Sequence, residues 1–155
     1  MSPTEELEAK KRRKRSDYVF HQEYRTRWQA NPIPPFYYLV LMSHRFDNDM
    51  YAHLNNTVYA MLFDSIVNSW LIAECGMDPF NRKPSSSSSS NTDKDCTISA
   101  QVGIMVSSYC DYFSSVSYPD VLDLGLRVAR LGSSSVTYEV GVFRRGDEDV
   151  KVVGG

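Results

Sequence analysis

The segment N-T-V-Y-A-M-L-F-D-S-I-V-N-S-W-L-I-A-E-C-G, Asn56 to Gly76, decides the architecture. Tyr59, Leu62, Phe63, Ile66, Trp70 and Ala73 recur at intervals of three, four and seven, the stripe of a helix with one buried face. Asn55 or Asn56 caps its start, and Gly76 supplies the usual stop. A helix from Asn56 to Cys75 is roughly 30 Å long and spans a small sheet. It is the one helix that the pattern supports. Upstream, F-Y-Y-L-V-L-M from Phe36 to Met42 is a short continuous apolar run, which suits a strand covered on both faces. Downstream come an apolar-rich segment from Ile98 to Tyr112 and alternating apolar positions at Leu122, Leu124, Leu126 and Val128 within Val121 to Leu131. A second alternation runs through Val136, Tyr138, Val140 and Val142, and Arg144 to Asp149 reads as a turn into a last strand at Val150 to Val153. One strand, a long helix and four further strands predict a two-layer α+β domain.

Around this frame the chain is ordinary for a single soluble domain: 155 residues, 42% apolar and 23% charged. Residues 1–31 are polar and charged and read as a disordered basic tail; Pro32, Pro34 and Pro35 precede the domain, which is expected over residues 32–155. The Ser-rich stretch 84–95 cannot bury apolar surface and reads as a flexible loop within the domain. The net charge of -2 conceals an asymmetry, since Lys10, Lys11, Arg12, Arg13, Lys14 and Arg15 hold six of the 17 basic residues. Beyond residue 15 there remain 11 basic and 16 acidic side chains, a net of -5, which gives no general field for nucleic acid. The basic run itself reads as a solvated charge block, with a nuclear-import signal or an RNA-contacting tail as the alternatives. Val58 to Ala73 is interrupted by Asp64, Ser65, Asn68 and Ser69 and is too polar for a membrane span. Glu5, Glu6 and Glu8 in a start without an apolar core argue against a secretory or mitochondrial leader, so an intracellular setting is expected. Cys75, Cys96 and Cys110 have no metal-type spacing and read as reduced thiols; no metal or redox cofactor is implied.

The polar segment R-F-D-N-D-M-Y-A-H-L-N-N, Arg45 to Asn56, concentrates the candidates for chemistry. It packs Asp47, Asp49, His53 and two amides directly before a helix N-terminus, where backbone N–H groups and the helix dipole accept developing negative charge. A carboxylate beside such a terminus can act as base or nucleophile, although the same residue types are common in turns and caps. Asp64 on the helix reads as a solvated or interface residue. Ser114, Ser115 and Ser117 lack the setting of a nucleophile elbow.

D-N-D-M-Y-A-H-L-N-N followed by V-Y-A-M-L-F-D resembles the signature opening the central helix of hotdog-fold acyl-CoA thioesterases of the 4-hydroxybenzoyl-CoA thioesterase type. S-S-Y-C-D-Y-F from Ser107, Y-P-D from Tyr118 and G-L-R-V-A-R-L-G-S-S-S-V-T-Y-E from Gly125 continue the resemblance, which covers roughly residues 36–154. It implies a hotdog fold, a five-stranded antiparallel sheet wrapped around one long helix, and a homodimer or homotetramer with sites at the subunit interface. It also implies hydrolysis of an acyl-CoA to free acid and CoA. In that comparison Asp49 matches the catalytic aspartate, Asn56 the position whose backbone N–H polarises the thioester carbonyl, and His53 a frequent histidine that positions the acid or the substrate. Asp47 is left to turn structure. Arg127, Arg130, Arg144 and Arg145 are available to the CoA phosphates. Acyl-thioester hydration or dehydration and a catalytically weak acyl-binding scaffold are the alternatives on the same fold. The ending K-V-V-G-G, where the resembled family continues through a longer strand, carries the expectation of a truncated last strand.

Overall fold

The computed structural model describes residues 2–26, 47–49, 51–77 and 103–155. In chain order these form helix α1 (Pro3–Lys11), a 3-10 turn (Arg15–Asp17), strand β1 (Phe20–Arg25), helix α2 (Asn56–Cys75), β2 (Cys110–Tyr112), β3 (Val121–Leu131), β4 (Val136–Arg144) and β5 (Val152–Gly154). The strands make one antiparallel sheet in the order β1-β3-β4-β5-β2, with α2 packed on one face. This is the hotdog fold expected from the sequence.

Helix α2 has the predicted bounds. The Asn55 side chain accepts from the Thr57 N–H, and Gly76, at φ 68°, closes the other end in the left-handed conformation that a glycine tolerates. Its stripe buries Val58, Tyr59, Leu62, Phe63 and Ile66 against Leu122, Leu124 and Leu126 of β3, Val140 and Val142 of β4, and Val152 of β5. The stripe fades toward the C-terminus. Trp70 is half-buried, edge-on to Tyr138 at 5.7 Å, and Ala73 is exposed.

Phe36–Met42, read as the first strand, lies outside the described residues, as does the Ser-rich stretch 84–95. The first strand among the described residues is Phe20–Arg25, which pairs with β3 from Phe20↔Leu126 to Arg25↔Val121. Residues 1–31 are therefore not a disordered tail where they are described, and α1, with a Ser2–Glu5 capping box, is a second helix. In the 98–112 segment only Cys110–Tyr112 is strand among the described residues, and β5 runs over Val152–Gly154, paired with β4 on one side and β2 on the other.

The basic run lies across the sheet face opposite α2. Lys10 pairs with Asp111 at 2.9 Å, Arg13 with Glu139 at 3.1 Å, Lys14 with Asp149 at 2.6 Å and Arg15 with Asp123 at 3.1 Å. Glu139 is buried, and Arg127 grips it through two parallel hydrogen bonds of 2.8 and 3.0 Å. Burial alone would raise the Glu139 carboxyl, but Arg127 and Arg13 outweigh it and hold the group below the usual carboxylate range. Tyr18 ends this strap. Its ring lies over Gly125 and Gly141, which face each other across β3 and β4, and packs edge-on to Phe143 at 5.6 Å. Both faces of the sheet centre are thus covered, which is why residues Leu122 to Leu126 are buried without alternation.

Candidate active site

Asp47, Asn48, Asp49 and His53 lie in a tight loop that runs directly into α2, whose first residue is Asn56. Asn48 and Leu54 form an isolated antiparallel bridge, and the Asn55 N–H donates to the Asp47 carbonyl at 2.7 Å, so the loop is stitched to the helix start. Inside it the Asp49 N–H donates to the His53 carbonyl at 2.7 Å. The Asp49 carboxylate faces back into the same turn, where its Oδ1 accepts from the Tyr51 N–H at 2.8 Å and the His53 N–H at 2.9 Å. Ala52 makes this closure possible with φ of 63°, the one positive-φ residue other than glycine among the described residues. The Asn48 side chain donates to the Ala52 carbonyl at 3.0 Å.

The structure brings Asp49 and His53 together through the backbone. The His53 imidazole is exposed and makes no hydrogen bond or ion pair among the described residues. Asp47 is buried and its carbonyl holds the helix start, in keeping with a turn role. Asn56 is the first residue of α2 and is exposed. The cap takes up the Thr57 N–H through Asn55 Oδ1 at 3.0 Å, and the Val58 N–H donates to the Asn55 carbonyl at 2.9 Å; neither bond engages the Asn56 N–H. A helix start, with the N–H groups of its first turn and its dipole, favours an anionic oxygen. Asp64 is exposed and accepts from the Asn68 side chain at 3.0 Å.

Of the four arginines considered for phosphate, three are engaged. Arg127 holds Glu139, Arg144 pairs with Asp147 at 2.9 Å, and Arg145 bridges Asp123 at 2.7 Å and Glu23 at 2.6 Å. Arg130, exposed on β3, is in no ion pair among the described residues. Asn48 and Ala52 were not singled out by the sequence. An Asn between two aspartates and an Ala one residue before a His give no periodic signal, and only the left-handed backbone reveals their connection.

A family model described as Thioesterase superfamily matches residues 51–151. The chain belongs to the thioesterase superfamily. The match takes in His53 and Asn56 and begins two residues after Asp49. Among solved structures, the PA5185 protein of Pseudomonas aeruginosa is 34% identical with a TM-score of 0.63, covering 91% of this chain and 75% of that one. A thioesterase superfamily protein from Jannaschia sp. CCS1 shares the fold at 18% identity and TM-score 0.62, over 99% of this chain and 74% of that one. So does the SAV2348 protein of Staphylococcus aureus, solved in complex with CoA, at 10% identity and TM-score 0.53, over 87% and 73%. No curated protein matches the chain.

Proposed function

We propose that this thioesterase superfamily member hydrolyses an acyl-CoA to the free acid and CoA, in the manner of the 4-hydroxybenzoyl-CoA thioesterase type, with Asp49 as general base or nucleophile. The observation that carries the reading is the loop that holds the Asp49 carboxylate by two backbone N–H groups on Oδ1, stitched directly to the N-terminus of α2. Two backbone donors fix the carboxylate's orientation and leave Oδ2 outside those bonds, available to attack the thioester carbonyl or to take a proton from water. The Asn56 N–H and the α2 dipole stabilise the oxyanion that develops. Its collapse expels CoA thiolate, which takes up a proton from water, and leaves the free acid directly when water attacks or, when Asp49 attacks, an acyl-Asp49 anhydride that water then hydrolyses to the acid. His53, exposed beside Asp49, faces the substrate. That SAV2348, a protein of the same fold, was solved with CoA supports CoA as the carrier. Among the described residues no helix is long and apolar enough to cross a membrane.

Thiol release from a panel of short, medium, long and aromatic acyl-CoAs tests the reading. Turnover of at least one is expected, and no release from any of them would replace hydrolysis with acyl binding.

The active unit is a dimer or larger. Ile104, Met105 and Val106, 84%, 69% and 94% exposed, lead toward β2, which sits at an edge of the sheet. An apolar run beside the outer strand of the described sheet is an aggregation hazard that a second copy removes. Light scattering at micromolar concentration is expected to give at least twice the chain mass of 17.7 kDa, and a stable monomer would sink the proposal.

A further inference from the structure

We infer that Asn48 is a positioning residue that sets the Asp49 carboxylate by holding Ala52 in the left-handed conformation. The inference rests on the reading of Asp49 as the catalytic carboxylate. A residue with a Cβ disfavours that conformation, and glycine is the usual occupant where a turn requires it. Ala52 adopts it here at φ 63°. The turn depends on it: the left-handed step returns the chain so that the His53 N–H reaches Asp49 Oδ1 at 2.9 Å, the Tyr51 N–H reaches the same oxygen at 2.8 Å, and the His53 carbonyl accepts from the Asp49 N–H at 2.7 Å.

The compensating contact comes from Asn48. Its side chain is nearly buried, at 3% residue exposure, and donates to the Ala52 carbonyl at 3.0 Å. Its Oδ1 is also buried and has no hydrogen-bond partner among the described residues, so the Ala52 bond is the side-chain contact by which this amide acts on the loop. An orphaned buried acceptor is unfavourable, and an apolar residue of similar size would avoid it. Among the described residues the amide's one side-chain bond lands on the carbonyl of the one residue other than glycine with a positive φ. Without it Ala52 relaxes toward right-handed or extended geometry, both donors withdraw from Asp49 Oδ1, and the carboxylate loses its fixed orientation in the turn.

The test is a rescue. Asn48→Ala is expected to lower kcat for acyl-CoA hydrolysis by about 10-fold or more with KM within about twofold, because small misplacements of a reacting group are costly while substrate binding elsewhere is untouched. Amide hydrogen exchange at Tyr51 and His53 speeds up in parallel. Adding Ala52→Gly, which takes the left-handed conformation without support, is expected to restore both kcat and exchange protection most of the way. Retention of wild-type kcat and exchange in Asn48→Ala overturns the inference, and so does a loss that Ala52→Gly fails to repair. If Asn48→Ala does not fold, the Asn48→Ala/Ala52→Gly pair decides: a folded, active double variant supports the inference and an unfolded one overturns it. The exchange measurement is independent of chemistry, so a chain in which Asp49 proved dispensable for hydrolysis would still answer whether Asn48 sets the loop.

Discussion

Asp49→Asn is expected to reduce kcat for acyl-CoA hydrolysis by about 100-fold or more with the fold intact. The substitution is nearly isosteric. An amide carbonyl oxygen in place of Oδ1 still accepts from the Tyr51 and His53 N–H groups, so the bonds at 2.8 and 2.9 Å and the turn they close survive. What disappears is the negative charge, and with it both the capacity to take a proton from water and the capacity to attack a carbonyl directly. Loss of an acidic side chain next to the start of α2 removes only about 0.3–1 kcal/mol of dipole interaction, so the thermal midpoint moves by a few degrees at most. Asp49→Ala, by contrast, removes charge and hydrogen bonding together and confounds the two. Thiol release and thermal melting on Asp49→Asn separate them. Turnover within about threefold of wild type would make Asp49 a loop organiser, and the chemistry would have to be sought elsewhere. A collapse in the melting temperature would also remove the basis for assigning it a chemical role.

The parts of this molecule that were legible in its sequence are those in which a residue's neighbours are local. Helix α2 was readable because Tyr59, Leu62, Phe63 and Ile66 face one way by helical spacing alone, and β3 and β4 because Leu122, Leu124, Leu126, Val140 and Val142 alternate. Strand β1 carries the same signal in F-H-Q-E-Y-R, where Phe20, Gln22 and Tyr24 are half-buried and His21, Glu23 and Arg25 exposed, but only three positions face the core and the surrounding charge masked them. The strap was not legible at all. Arg13 finds Glu139 and Arg15 finds Asp123 across more than a hundred residues, and a run of six basic side chains looks the same whether it meets water or buried carboxylates. The candidate site divides the same way. Asp49, His53 and Asn56 were evident from their proximity in sequence and from a resemblance to acyl-CoA thioesterases, and membership of the thioesterase superfamily bears out the broader part of that resemblance. The backbone conformation of Ala52 and the side-chain bond from Asn48 that meets it belong to geometry that no spacing encodes.

The strap makes the second large effect predictable: Tyr18→Ala is expected to destabilise the domain by about 3–5 kcal/mol, the range for removing a buried aromatic ring. Against a total of about 5–15 kcal/mol for a typical domain, that is a large fraction, equivalent to a fall in thermal midpoint of roughly 6–20 °C. Tyr18 is 4% exposed and clusters with Phe143, Val150 and Val153, so its removal opens a cavity and frees one end of the strap. Its hydroxyl lies 3.4 Å from Glu139, a long hydrogen bond, and Tyr18→Phe is expected to cost far less than the alanine variant. The decisive measurement is a cycle with Gly141. A Cβ built there would come within 2.6 Å of the Tyr18 ring, so Gly141→Ala in the wild-type chain forces the ring to shift and costs about 1–3 kcal/mol. Gly141 does not have a positive φ, so the backbone itself has no need of glycine. Once Tyr18 is alanine, the added methyl enters vacated space, and Gly141→Ala becomes neutral or stabilising by about 0.4–1 kcal/mol through the lower entropy of the unfolded chain. A reversal of sign between the two backgrounds is the expected signature of a ring seated on these glycines. Additive effects would mean that the ring is not seated on Gly141, and a Tyr18→Ala midpoint within about 2 °C of wild type would mean that the strap rests on the sheet without stabilising it.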